Sequence, residues 1–117
     1  MVRDDRRHRL TGRGAFETVF RQGRRSDGEY LQLVSTSAAS GCGRSGLVIG
    51  RKQLPRAVDR NRIRRMLRVA LVRARPCIGA HDVVVRLKRA APRDAFRAIV
   101  AEAERMLEAL GSCTGAA

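Results

Sequence analysis

Residues 51–75 read RKQLPRAVDRNRIRRMLRVALVRAR, and the rest of the chain is read outward from them. Seven arginines fall from Arg60 to Arg75 with no acid among them. Ile63, Met66, Leu67, Ala70, Leu71 and Ala74 recur at the i, i+3, i+4, i+7 spacing of a helix with one buried face. At ~100° per residue from Ile63, these apolar positions fill an arc of roughly 140°. Asn61, Arg64, Arg65 and Arg68 lie together on the opposite side, with Arg62 and Arg73 flanking them. Arg60 falls at the apolar edge, so it is expected at the rim, fixed by a carboxylate or a backbone carbonyl. Phosphates repeat along a nucleic-acid strand at a spacing comparable to one helical turn. A row of arginines can therefore follow a backbone without reading bases. Asn61 adds a group that both donates and accepts, suited to a base edge or a 2′-hydroxyl. The alternative is a solvated face, but such a face normally mixes charge signs in i, i+4 pairs, and this row does not.

The flanking segments place this helix between two strands. GLVIG at 46–50 is a short apolar run bounded by glycine, expected as a buried strand. Pro55 biases Leu54 away from helical angles, so residues 51–56 form the loop leading in. Asp59 suits the positive end of the helix dipole, and Pro76 and Gly79 are expected to end the helix. DVVVRLK at 82–88 is the next strand, giving a β-α-β unit of a size that permits parallel pairing. Further upstream, Thr11 can cap a helix over 13–21 in which Phe16, Val19 and Phe20 share a face and which Gly23 stops. Residues 24–28 read as a turn-rich basic connection and 29–36, EYLQLVST, as a strand. Residues 37–45 are small and polar, with a further strand expected in or after them. Pro92 and Asp94 open a last helix whose stripe is Phe96, Ile99, Val100, Ala103, Met106, Leu107 and Leu110, ending at Gly111. The organisation is a flexible basic arm over 1–9, one RNA-binding α+β domain over 10–110, and a disordered tail over 111–117.

The charge narrows the class of partner. A formal net charge of +14 implies strong self-repulsion that an anionic partner would relieve. Nucleic acid and an acidic membrane surface are the candidates. Only Lys52 and Lys88 among 25 basic residues are lysine, and arginine's planar fork matches phosphate. That leans toward nucleic acid. Cys42, Cys77 and Cys113 are three and widely spaced, with no C-x-x-C pair and no His near a Cys in a ligand pattern, so neither a disulfide framework nor a zinc site is expected. The N-terminus, MVRDDRRHRL, has no apolar h-region, and no run approaches a membrane span, so the chain reads as cytoplasmic with no membrane partner. His8 and His81 are isolated, and Asp4 and Asp5 sit in the arm, so the protein offers no catalytic constellation and no metal site of its own.

The helix resembles the R-N-R signature of the bacterial ribonuclease P protein family. Arg51-Lys52 and the run Ala57-Val58-Asp59-Arg60-Asn61-Arg62-Ile63-Arg64-Arg65-Met66-Leu67-Arg68 carry the match. His8-Arg9-Leu10 with Ala15-Phe16-Glu17-Thr18-Val19-Phe20-Arg21-Gln22-Gly23 is similar to that family's first helix. Gly46-Leu47-Val48-Ile49-Gly50 and Asp82-Val83-Val84-Val85 are similar to its strands, so the likeness runs in order over residues 8–110. The resemblance implies an α+β two-layer sandwich, like a domain known in ribosomal proteins. It implies a four-stranded sheet with three helices, helices covering one side of the sheet, and a left-handed β-α-β crossover. It implies a subunit that binds the catalytic RNA of ribonuclease P and the precursor-tRNA 5′ leader, with protein oligomerisation not required. The RNA would perform the hydrolysis with Mg2+ held mainly by the RNA and substrate. Under it, Arg51, Lys52, Arg60, Asn61, Arg62, Arg64, Arg65 and Arg68 would contact that RNA. Phe16, Phe20 and Tyr30 would line the leader cleft, although by pattern alone aromatics at i, i+4 are a core pair. The competing readings are a non-catalytic, ribosome-associated RNA-binding protein, a helix-turn-helix-like factor, and a basic helix docking on a membrane or an acidic protein. The flanking strands speak against the helix-turn-helix.

Overall fold

The computed structural model describes residues 10, 13–37, 43–78 and 81–115. In chain order they form α1 (Arg13–Gln22), β1 (Arg24–Asp27), β2 (Leu31–Ser37), β3 (Ser45–Val48), α2 (Ala57–Ile78), β4 (His81–Leu87) and α3 (Phe96–Gly115), with a 3-10 turn at Arg93–Ala95 before α3. The strands make one mixed sheet in the order β1-β2-β4-β3. β2 pairs antiparallel with β1 and β4, while β3 pairs parallel with β4. The β3-α2-β4 unit is thus the parallel pair expected from sequence, and the α+β class holds.

Side chains alternate across a pleated strand, and here the alternation divides the core in two. Leu31, Leu33, Val83, Val85 and Leu87 face α2 and α3, where they meet Ile63, Leu67, Leu71, Phe96, Ile99, Ala103 and Leu107. Val34 and Val84 belong to the other face and are buried with Val19 and Leu10 beneath α1. α2 and α3 therefore form the helical layer, while α1 lies on the other face, where Val34 and Val84 need a cover of their own. Full burial of Ile63, Leu67 and Leu71 contributes about 1.5–3 kcal/mol each, which fixes the rotation of α2 about its axis.

Other boundaries differ from the sequence reading. The fourth strand is β1, in a segment expected to be a turn. RRSD has little strand propensity, but Gly23 follows α1 with its N–H on the Val19 carbonyl (2.7 Å), and the chain then pairs along β2 as an exposed edge. α2 continues through Pro76 to Ile78. Proline removes one N–H and crowds the carbonyl four residues back, which a last turn tolerates because no later turn depends on it. α3 continues past Gly111 to Gly115, since an interior glycine costs a helix only about 1 kcal/mol. The arm over 1–9, the Thr11 cap, Gly79 and the centre of the 37–45 loop lie outside the described residues.

One buried carboxylate ties α3 to the start of β2. Glu102 Oε1 accepts the Glu29 N–H at 2.7 Å, Oε2 accepts the Leu31 N–H at 2.7 Å, and the Tyr30 N–H reaches both oxygens at 3.2 and 3.1 Å. Gly28 leaves room for it, as a Cβ there would lie 2.6 Å from the Glu102 carboxyl carbon. Glu102→Ala would strand three N–H groups in a closed turn. We expect a loss of about 3 kcal/mol or more in urea unfolding, with Glu102→Gln, which keeps one acceptor, falling between.

Candidate nucleic-acid interface

The N-terminus of α2 is built from backbone bonds that hold its arginines in place. Arg51 and Lys52 are exposed in the turn over 51–53, which the Leu54 N–H closes onto the Gly50 carbonyl at 3.1 Å. Leu54 is buried in the main core and anchors the loop. Arg60 turns back from the helix, and its Nη1 donates to the Leu54 carbonyl at 2.8 Å and the Pro55 carbonyl at 2.9 Å. It is the rim residue that its place on the helical wheel predicts, with backbone carbonyls as its fixing group. Arg60 thus spends donors on the loop, whereas Asn61, Arg62 and Arg65 are exposed and Arg64 and Arg68 half-buried along the same helix.

The single acid of α2, Asp59, is covered. Arg93, in the 3-10 turn before α3, donates from Nε to Asp59 Oδ1 at 2.9 Å. Sequence reading assigned Asp59 only to the helix dipole and gave Arg93 no role. The two are 34 residues apart, and no local pattern links them.

On the opposite face of the sheet, α1 crosses a cross-strand row made by Gly46, Val84, Val34 and Arg25. Phe16 and Phe20 are both half-buried at this face, with Val48 beside them. Phe16 sits on Gly46, where a Cβ would stand 2.5 Å from its ring. Phe20 carries the Arg25 guanidinium 6.0 Å above its ring centroid, and Arg25 Nη2 also donates to the Phe20 carbonyl at 3.0 Å. The next row is Val48, Arg86, Gln32 and Asp27. Lys88, donating at 3.3 Å, and then Gln32, at 3.2 Å, hold the Asp27 carboxyl below its ordinary pKa. The face is thus aromatic and aliphatic along one row and mixed polar and charged along the next.

Tyr30 is not brought to Phe16 and Phe20. It lies in the bend before β2, its N–H on Glu102, and its ring packs against the main core. Beneath α1, β2 contributes the buried Val34, so of the three aromatics only Phe16 and Phe20 lie together. The sequence signal for Arg25 was present only as two arginines after Gly23, in a segment read as a turn. Among the described residues, no three His, Cys, Asp or Glu side chains come together as a metal-holding group. Nor is any described helix long and apolar enough to cross a membrane.

Comparison with known proteins agrees with this architecture. The Ribonuclease P family model matches residues 5–111. A ribonuclease P protein component from Acidothermus cellulolyticus is 39% identical over 104 residues, covering 86% of each chain. Another, from a Synechococcus species, is 44% identical over 68 residues, and the match spans about half of that relative, 51% of its length. The solved RNase P protein from Thermotoga maritima superposes with a TM-score of 0.72 at 24% identity, covering 86% of this chain and 94% of its own, a likeness of fold.

The seat of Phe16 makes a direct prediction. Gly46→Ala should cost about 1–3 kcal/mol in thermal or urea unfolding by forcing the ring to shift. In a Phe16→Ala background the same change should cost much less, because the methyl group then has room.

Proposed function

The chain belongs to the ribonuclease P protein family, and on that premise we propose that it is the protein subunit of ribonuclease P. It binds the catalytic RNA through α2 and the loop before it, receives the precursor-tRNA 5′ leader at the α1 face, and assists removal of the leader. The observation that carries this reading is the α2 surface. Arg62, Arg64, Arg65 and Arg68 stand around Asn61 on a helix whose other face is locked in the core, with its one acid covered. Arginines at one-turn spacing on a helix fixed in the core can follow successive phosphates. Arg51 and Lys52 extend the row through the preceding turn. Arg60 acts on RNA through the loop that it pins.

At the second face, the exposed parts of Phe16 and Phe20 offer a stacking surface to a single strand, worth about 1–3 kcal/mol per base. At Phe20, Arg25 lies over the ring and supplies a charge for the adjoining phosphate. Hydrolysis is assigned to the RNA, with Mg2+ held by RNA and substrate. The protein's part is to hold and orient, in the cytoplasm where tRNA precursors are made.

Added to a ribonuclease P RNA, the protein should stimulate 5′ cleavage of precursor tRNA at low magnesium. No stimulation with the cognate RNA would reject the assignment and favour a ribosome-associated RNA-binding role. Arg64→Ala with Arg68→Ala should weaken RNA binding and make its salt dependence shallower, by roughly 0.7–0.9 for each phosphate no longer neutralised. Phe20→Ala should reduce affinity for leader-bearing substrate while binding of the catalytic RNA survives.

A further inference from the structure

We propose that Arg93 is part of the RNA-docking surface and that Asp59 is the residue that aims it; this rests on the assignment of α2 to RNA. Arg93 lies outside the R-N-R helix, in the 3-10 turn Arg93–Ala95. Its Nε–Asp59 Oδ1 bond of 2.9 Å fixes the guanidinium beside the first turn of α2. Asp59 and Arg62 are three residues apart and so are neighbours on one side of that helix. The Arg93 head group therefore stands next to exposed Arg62, adding a cation from a second element to the same flank.

Three observations separate this from an ordinary surface ion pair. The exposures are unequal: the Asp59 side chain is 16% accessible and that of Arg93 53%, so the acid is the covered partner and the base the presented one. A guanidinium has five N–H donors in a planar fork, and the bond to Asp59 uses the Nε edge. The Nη groups keep donors that a phosphate can accept from. Lastly, exposed Val58, at 60%, and Val69, at 38%, lie on this flank with Arg62 and Arg65 at i+4 and i+7 from Val58. Val58 and Val69 stand about three turns apart with the two arginines between them, so apolar and cationic side chains both line this flank, as riboses and phosphates both line a strand. Asp59 is the one carboxylate of α2, and it is covered where it bonds Arg93.

The test measures binding of the full chain to a ribonuclease P RNA transcript over a salt series, with thermal unfolding as the fold control. Arg93→Ala should weaken binding by about tenfold, the worth of one charge-assisted hydrogen bond, and lower the salt slope by roughly 0.7–0.9. Asp59→Asn gives the opposite signs for the two possible roles. If Asp59 aims Arg93, its loss weakens binding even though the protein becomes more positive. If Asp59 only repels RNA, its loss tightens binding, and that result overturns the proposal. An unchanged slope in folded Arg93→Ala also overturns it. Should Arg93→Ala fail to fold, the sign of the Asp59→Asn effect decides. The Arg64→Ala, Arg68→Ala pair is run alongside: no effect there rejects the assignment of α2 to RNA, whereas an effect there but none at Arg93 rejects only this inference.

Discussion

Burial of one face of α2 is the constraint on which the rest depends. Ile63, Leu67 and Leu71 are fixed between the sheet and α3, so every other position on the helix has a determined direction. That is what turns a cluster of arginines into a surface. An unanchored arginine-rich helix would distribute its charges over many geometries, and its like charges would resist helix formation. Here apolar burial on one side outweighs repulsion on the other. The repulsion in a chain of net charge +14 remains available to be relieved by an anionic partner.

The acids show the same division of labour. Glu102 is buried and caps three backbone N–H groups at the start of β2. Asp82 is buried and bonded to the backbone and side chain of Arg44. Asp27 takes Lys88 and Gln32, and Asp59 takes Arg93. These four carboxylates are committed to tertiary contacts and do not neutralise the exposed cations of α2. The electropositive surface is thus partly a product of where the acids are placed, and not only of how many arginines the chain carries.

The sheet carries two different surfaces because its pleat separates them. One face is closed by α2 and α3 into the main core. The other is covered only along the row beneath α1, so aromatic and cationic groups remain accessible beside a short helix. Gly46 lets Phe16 lie close to the sheet, and Arg25 joins the edge strand to the end of α1. The arrangement leaves the α2 surface and the α1 face as separate surfaces on one small body.

The amino-acid sequence by itself determined the features that repeat within a few residues. The apolar period of α2, the arginine row around Asn61, the rim position of Arg60 and the strand-helix-strand order all follow from local spacing, because helical geometry maps sequence separation directly onto direction. Tertiary structure alone decided what depends on distant partners. β1 exists because β2 offers an edge to a segment with little strand propensity, and α1 takes the second face because Val34 and Val84 must be covered there. Tyr30 lies apart from Phe16 and Phe20 because Glu102, more than 70 residues away, holds its backbone in a bend. Arg93 reaches α2 only because the fold brings Asp59 to it. No period or motif encodes such pairings, since they arise when separately formed elements pack and buried polar groups must find partners.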